Sequence, residues 1–134
     1  MDKNTKKEKV GYVDGFVLVV PADKVEAYKK MAKEGGKMWM KHGALGYREC
    51  MGDDLNPQQM GNLKTRSFIE MSKAKEGDTV WFSYIEYKSR SHRDAVNKKV
   101  MAEMDKQAEK YKDMEMPFDM KKMATGGFKV SVGF

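Results

Sequence analysis

Apolar and polar positions follow the same order twice along the chain. Four apolar runs, rich in β-branched and aromatic residues, predict strands, and these runs are residues 10–20, 44–51, 79–88 and 126–134. Residues 21–41 and 89–104 lie between the first two runs and between the last two. Both show the 3.6-residue periodicity that is typical of amphipathic helices. The pattern therefore predicts a β-α-β unit that occurs twice.

This order predicts an α+β fold, a ferredoxin-like β-α-β-β-α-β sandwich with an antiparallel sheet and two helices on one face. Both alternating rows of the first strand, residues 10–20, are largely apolar, which is typical of a strand covered on both faces. Two helices cover only one face of such a sheet. A second copy of the chain is the simplest cover for the other face, so the pattern predicts a homodimer.

The first predicted helix carries one apolar stripe, formed by Val25, Tyr28, Ala32, Gly35 and Trp39. Asp23 and Glu26 have the spacing of a capping box, which predicts the start of the helix. Gly43 is a suitable residue to end it. Gly35-Gly36 weakens the helix but allows it to approach the sheet closely.

The second predicted helix and the connections are less regular. Ser91 or Asp94 is expected to cap this helix, and its apolar stripe is Val96, Val100 and Met104. Residues 52–66 form a predicted polar loop, and residues 67–71 are expected to add a short edge strand. Residues 105–122 are charged and rich in methionine.

A chain of 134 residues has the size of one domain. The predicted division is a flexible basic leader at residues 1–9 and a single domain at residues 10–134. No apolar run approaches the roughly 20 residues that span a bilayer, and the basic leader is not followed by the cleavage site of a signal peptide. We therefore expect a cytoplasmic protein with no membrane partner.

Cysteine, histidine and methionine usage argues against a metal. The single cysteine, Cys50, excludes an internal disulfide, and we expect it to be a small buried residue. Two histidines far apart and one cysteine form no zinc motif. Met38 and Met40 do not face each other on a helix, so the 13 methionines indicate core filling rather than a copper site. The sequence predicts no metal and no cofactor.

Three residues are candidate catalytic groups: Asp14, His42 and His92. A histidine beside a strand can act as a general acid or base, and the alternative for both histidines is a surface or capping role. Asp14 interrupts the most apolar strand, where a carboxylate is costly unless it is paired. It is either a polar anchor in an apolar cavity, or part of a structural ion pair or an edge position open to water. The expected partners of Asp14 are Arg48, Tyr47 and Tyr84.

The candidate ligand-binding residues are Trp39, Arg48, Trp81 and Tyr84. We expect a small-molecule pocket between the sheet and the helices or inside a barrel made by two copies. No residue set specifies a reaction, so whether the protein is an enzyme stays open.

The alternative to a small-molecule pocket is a non-catalytic RNA- or protein-binding module. RRM domains share the β-α-β-β-α-β order and bind RNA on aromatic residues of their sheet. Neither residues 79–87 nor residues 126–134 match the aromatic and basic strand that an RRM requires. This mismatch argues against nucleic acid as the partner.

Several segments, taken together, resemble the DUF1428 family of YbaA-like bacterial proteins. They are YVDGFVLVVP at residues 12–21, the segment from Trp39 through HGALGYREC to Asp54, the run from Phe82 to Asp94 that contains YKSRSHRD, and MPFD with the later GGF. The sequence departs from the family in a longer loop at residues 55–66 and in Met120, where glycine is expected. The resemblance implies a dimeric α/β barrel in which two ferredoxin-like sheets pack face to face. It implies no established activity and no catalytic residues, and fold alone does not fix function.

Overall fold

The computed structural model describes residues 9–57 and 59–134. Within them the strands are β1 (Tyr12–Pro21), β2 (Gly46–Met51), β3 (Gln59–Met60), β4 (Leu63–Lys64), β5 (Asp78–Tyr87) and β6 (Ala124–Lys129). The α-helices are α1 (Val25–Lys41), α2 (Phe68–Ser72), α3 (Arg90–Lys106) and α4 (Ala108–Tyr111). The predicted leader, apart from Lys9, lies outside the described residues.

The main sheet has four strands in the order β2-β5-β1-β6, and every neighbouring pair is antiparallel. The short strands β3 and β4 form a separate hairpin within the predicted polar loop. The prediction of an α+β protein with an antiparallel sheet is confirmed.

The core lies between the sheet and the helices α1 and α3. On β1 and β5, one alternating row of side chains faces the helices and is mostly buried, which matches the two-residue repeat of a strand. One buried cluster includes Tyr87, Val96 and Val100, and a second includes Leu18 and Val20. Burial of Val96 and Val100 confirms the predicted stripe of the second helix, and Met104 packs against the first cluster.

The opposite face of the sheet is covered only in part. Val19 and Val80 are register neighbours on that face and are buried, and α2 contacts both of their strands. Farther along the same face, Phe82 is 47% exposed and Phe128 is 63% exposed. Among the described residues, one end of this face is therefore covered by α2 and an apolar patch lies at the other end.

The predicted edge strand at residues 67–71 is wrong, because this segment forms the helix α2. Ser67 is its N-cap and accepts a hydrogen bond from the Glu70 backbone N–H at 3.0 Å. Ser67 and Glu70 have the spacing of a capping box, so the sequence carried the helix signal. Lys73, with φ of 60°, ends the helix in the left-handed conformation.

Both predicted helix starts need correction. No side-chain hydrogen bond caps α1, which begins directly after a 3₁₀ turn at Ala22–Lys24, so the capping box at Asp23 and Glu26 is not formed. Ser89, rather than Ser91 or Asp94, caps α3 by accepting from the His92 N–H at 3.1 Å. The helix α3 therefore begins at Arg90, before both of the predicted caps.

The end of α1 agrees with the prediction, since Gly43 has φ of 110°, in the region that favours glycine. The last strand is shorter than predicted, because β6 ends at Lys129 and residues 130–134 are not in a strand. Among the residues that the structure describes, no helix is both long enough and apolar enough to cross a membrane.

Candidate functional site

A cavity of about 780 Å³ lies between the helix-covered face of the sheet, the helices α1 and α3, and the segment after α4. Most of its lining is apolar. Methionines contribute a large share of this lining, namely Met31, Met38, Met101, Met104, Met114, Met116, Met120 and Met123. Unbranched thioether side chains adapt to differently shaped neighbours, so much of the wall can adjust to what it encloses.

Strand register brings the polar lining residues together on the floor of the cavity. One cross-strand row runs Glu49, Ser83, Phe16 and Thr125 over the four strands, and the adjacent row runs Tyr47, Ile85, Asp14 and Gly127. Residues directly opposite each other on neighbouring strands have their Cβ atoms about 4.5–5.5 Å apart. The two carboxylates, Glu49 and Asp14, therefore belong to adjacent rows of one surface.

Glu49 is the centre of a hydrogen-bonded cluster. Its Oε2 accepts from the Tyr28 hydroxyl at 2.7 Å and also from the Ser83 hydroxyl, and its Oε1 accepts from the Tyr47 hydroxyl at 2.8 Å. Burial, reinforced by the negative charge of Glu49, raises the pKa of Tyr28 and of Tyr47 well above the usual value. Both phenols are therefore neutral donors at physiological pH.

Close packing of α1 on the sheet positions Tyr47. A Cβ atom built at Gly36 would lie 2.9 Å from the Tyr47 ring, whereas one built at Gly35 would have its nearest neighbour at 3.6 Å. The prediction that the Gly35-Gly36 pair allows a close approach to the sheet is confirmed. Gly36 is the residue that needs to be glycine.

The two glycines should respond oppositely to alanine. Gly35→Ala is expected to stabilise the protein by about 0.5–1 kcal/mol, because alanine is the better helix former and the space is available. Gly36→Ala is expected to lose that gain and destabilise the fold by about 1–2 kcal/mol, since the Tyr47 ring must move. Urea unfolding of both variants measures this difference, and equal stabilisation by the two would contradict the packing argument.

Asp14 is buried and paired with Arg93 of α3. Arg93 Nη1 donates to Asp14 Oδ1 at 2.6 Å, Arg93 Nε donates to Asp94 Oδ1 at 2.8 Å, and the guanidinium lies 5.0 Å from the centre of the Tyr12 ring. The hydrogen bond to Asp94, together with the charge of Asp14, raises the pKa of Arg93. Asp14 is thus one half of an ion pair on the cavity wall.

The predicted partners of Asp14 are wrong. Arg48 and Tyr84 are register neighbours and point to the opposite face of the sheet from Asp14. Tyr47 lies on the same face as Asp14, but its hydroxyl is bound to Glu49. The partner comes instead from a helix, and the edge position open to water is also excluded because Asp14 is buried.

Trp39 lines the cavity, and its indole is held in place by a hydrogen bond. Its Nε1–H donates to Asn97 Oδ1 at 3.0 Å, and the Tyr87 hydroxyl donates to the same oxygen at 3.4 Å. Burial and the charge of Asp14 raise the pKa of Tyr87, which keeps its hydroxyl a donor. Asn97 therefore connects the two helices and the sheet beside the cavity.

Neither histidine lies in the cavity lining. His42 ends α1, and its Nε2 lies 2.9 Å from Glu103 Oε1, which Lys41 Nζ also contacts at 2.8 Å. Hydrogen bonds from Lys41 and His42 lower the pKa of Glu103. His92 Nδ1 accepts from the Lys88 N–H at 2.9 Å, next to the start of α3. The contacts of both histidines are those of the surface or capping alternative.

The remaining predicted ligand-binding residues are dispersed. Trp81 is buried in the second core cluster, where its Nε1–H donates to Thr79 Oγ1 at 2.9 Å. Arg48 and Tyr84 lie on the partly covered sheet face, away from the cavity. Cys50 is exposed on that same face, so the expectation of a buried cysteine is wrong. The alternation of β2 places Cys50 opposite in direction to Glu49.

Sequence reasoning missed Glu49, Tyr28, Ser83, Arg93 and Asn97. A signal existed for two of them. Ser83 is the small polar residue that interrupts the buried row of β5, and Glu49 shares the alternating row of Tyr47. Arg93 and Asn97 lie on a helix whose polar residues look solvent-exposed until the sheet is placed beneath them. Within residues 9–57 and 59–134, no group of three or more His, Cys, Asp and Glu side chains could hold a metal ion.

The residues that match a known family extend over most of this fold. A family model described as "Protein of unknown function (DUF1428)" matches residues 11–120. The chain belongs to this family. The uncharacterized protein YbaA of Escherichia coli strain K12 is 42% identical over 118 residues, which cover 88% of this chain and 94% of YbaA. YbaA of Shigella flexneri gives the same values, 42% identity with 88% and 94% coverage. These relatives confirm the family resemblance and assign no activity.

A likeness to a solved structure adds nothing further. A Burkholderia cenocepacia protein that was provisionally assigned as an amidohydrolase/peptidase matches with 8% identity and a TM-score of 0.28. The match covers 90% of this chain and 27% of that chain. At this level of similarity no argument about fold or activity follows.

Proposed function

We propose that the protein binds a small molecule in the cavity between its sheet and helices, and that it does so as a homodimeric α/β barrel. The observation that carries the proposal is the cavity itself, which measures about 780 Å³. Its lining is mostly apolar and includes the two carboxylates of Glu49 and Asp14. Ligand pockets typically measure about 300–1,000 Å³ and combine apolar walls with a few fixed polar groups.

The cavity mouth supports this role. Met101, Met114, Met116 and Met120 line it and are between 41% and 53% exposed. Phe118 of the same segment packs edge-on against Tyr28, with ring centres 5.8 Å apart. The segment after α4 thus combines one anchored aromatic residue with flexible, exposed thioethers, an arrangement suited to admitting an apolar molecule.

The dimeric barrel rests on two features. The order β2-β5-β1-β6, with α1 between β1 and β2 and α3 between β5 and β6, fits the ferredoxin-like arrangement. The partly covered sheet face carries Phe82, Tyr84 and Phe128 beside Val13 and Val17 of the central strand β1. An exposed apolar patch rimmed by polar residues is typical of an interface, and a second copy would bury it sheet against sheet.

If the protein is an enzyme, Glu49 is the best candidate for the proton acceptor. It lines the cavity and its contacts are neutral hydroxyls, whereas the carboxylate of Asp14 is engaged by the cation of Arg93. A base must lie within hydrogen-bond reach of the proton that it removes. Neither His42 nor His92 meets this condition for a molecule inside the cavity.

Filling part of the cavity should weaken binding. Thr125 lines the cavity from the edge strand β6 and is exposed. The variant Thr125→Trp is expected to weaken binding of the uncharged fluorescent probe Nile red by about tenfold or more, since it occupies the space of the probe. Thr125→Val, of nearly equal volume, should bind like the wild type. Fluorescence titration measures both, and native mass spectrometry of the wild type reports a retained ligand and the number of subunits.

Unchanged Nile red binding by a folded Thr125→Trp variant would contradict the cavity as the binding site. If Thr125→Val and Thr125→Trp weaken Nile red binding equally, the effect comes from loss of the threonine hydroxyl and not from loss of cavity volume. Circular dichroism melting of both variants shows whether each is folded.

A binding module for RNA or another acidic partner is the second candidate, and one observation favours it. A second cavity, of about 770 Å³, includes Lys9, Lys88, Arg90 and Lys129 in its lining and no acidic residue. Binding of labelled single-stranded RNA that weakens steeply with added salt would support this candidate. Lys129→Glu should then reduce RNA binding while leaving Nile red binding unchanged.

A further inference from the structure

We infer that the ligand of the methionine-lined cavity carries a positively charged nitrogen, an ammonium or amidinium group, that binds to Glu49 while its apolar part lies among the methionines. The inference rests on the proposed function, because it names the chemical class of the molecule that the cavity would hold. It concerns Glu49 and not Asp14, because the two carboxylates differ in what already neutralises them.

The hydrogen bonds of Glu49 leave one acceptor position open. A carboxylate has about four lone-pair sites, two on each oxygen. Oε2 accepts from the hydroxyls of Tyr28 and Ser83, which fills its two sites, and Oε1 accepts from Tyr47 alone. The remaining site on Oε1 therefore suits one N–H donor from a molecule in the cavity.

The charge balance of the cavity also favours a cation. Its acidic lining residues are Asp14, Glu34 and Glu49, and its basic lining residue is Arg93. Arg93 is bound to Asp14 and Asp94. Among residues 9–57 and 59–134, no cation lies within ion-pair distance of Glu49 or Glu34. Within the described part of the chain, the cavity wall thus carries two carboxylates that no cation pairs.

Hydroxyl donors orient Glu49 but do not neutralise it. A neutral apolar ligand would remove water from this carboxylate without replacing the lost solvation, and an anionic ligand would add repulsion. A cationic ligand would form a charge-assisted hydrogen bond.

Three probes of similar length and shape test the inference: phenylbutylamine, phenylbutanol and phenylbutyrate, which are a cation, a neutral alcohol and an anion at pH 7. Isothermal titration calorimetry measures their affinities for the wild-type protein. The amine is expected to bind about tenfold tighter than the alcohol, and the butyrate is expected to bind more weakly than both. In Glu49→Gln, which keeps the side-chain shape without the charge, the amine should lose most of its advantage.

Glu26→Gln is the matched control, because Glu26 is an exposed glutamate on α1 outside the cavity lining, and it should keep the full preference for the amine. The inference is overturned if the alcohol or the butyrate binds as tightly as the amine, or if folded Glu49→Gln retains the preference. It is equally overturned if Nile red binds and the amine does not. Failure of all three probes and of Nile red to bind would instead count against the proposed function. If Glu49→Gln does not fold, the ratio of amine to alcohol affinity in the wild type decides.

Discussion

Replacing Arg93 with alanine is expected to destabilise the protein by about 3 kcal/mol, because the variant leaves the buried carboxylate of Asp14 without its cation. Asp14 has a side chain that is 9% exposed, and its Oδ1 lies 2.6 Å from Arg93 Nη1. The substitution also removes the guanidinium from the face of the Tyr12 ring. Urea unfolding at neutral pH, followed by tryptophan fluorescence, measures the loss.

Two further variants separate charge from packing. Asp94→Asn removes the second partner of Arg93. Because the Asp94 side chain is 61% exposed, this change should alter stability by no more than about 0.5 kcal/mol. The double variant Asp14→Asn with Arg93→Gln replaces the ion pair by neutral amides and should recover more than half of the loss. A single Arg93→Ala variant as stable as the wild type would show that the ion pair does not hold α3 on the sheet.

Asp14 shows which features of the site could be predicted from the sequence and which could not. Its oddity was visible, because a carboxylate in an apolar strand needs a partner. The identity of that partner was not visible, since Arg93 is 79 residues away and lies on a helix. Which face of the strand Asp14 occupies depends on where α3 packs. Alternation divides a strand into two rows but does not say which row faces the helices.

Glu49 illustrates the opposite case, a residue that looked ordinary and lies at the centre of the site. The sequence shows it between Arg48 and Cys50, as one polar residue in a short strand. Only the approach of α1, which brings Tyr28 to its carboxylate, turns an edge-strand glutamate into part of a cavity wall. The helix α2 is a different case, because its capping signal at Ser67 and Glu70 is local, whereas the prediction for residues 67–71 was a strand.

The strand-helix order was easier to predict than the site, because it depends on local periodicity. The apolar stripe at Val96 and Val100 is buried as the spacing requires. The family assignment, confirmed over residues 11–120, rests on segments distributed over that whole pattern. The two apolar rows of β1 predicted a dimer, in which a second copy covers the sheet face opposite the helices. The helix α2 reduces the area that a second copy would cover, since Val19 is already buried within the chain.

Placing a carboxylate on the partly covered sheet face is expected to separate the proposed dimer. Phe82 is 47% exposed and its ring lies 5.9 Å from that of Tyr84. In a twofold-symmetric interface Phe82→Asp introduces two buried carboxylates, and a cost of about 2 kcal/mol for each raises the dissociation constant by about a thousandfold. Sedimentation velocity at micromolar concentration should show a dimer for the wild type and a monomer for Phe82→Asp.

Met60→Asp is the matched control, because Met60 is 69% exposed on the separate β3–β4 hairpin and a charge there should leave the dimer intact. Phe128→Asp, on the edge strand β6 at the other side of β1, should dissociate the dimer as Phe82→Asp does, because its exposed ring lies on the same sheet face. A dimer that survives both Phe82→Asp and Phe128→Asp would place the interface elsewhere. A monomeric wild type would contradict the proposed dimer. The apolar patch would then be expected to contact another partner, because large apolar patches are rarely exposed to water.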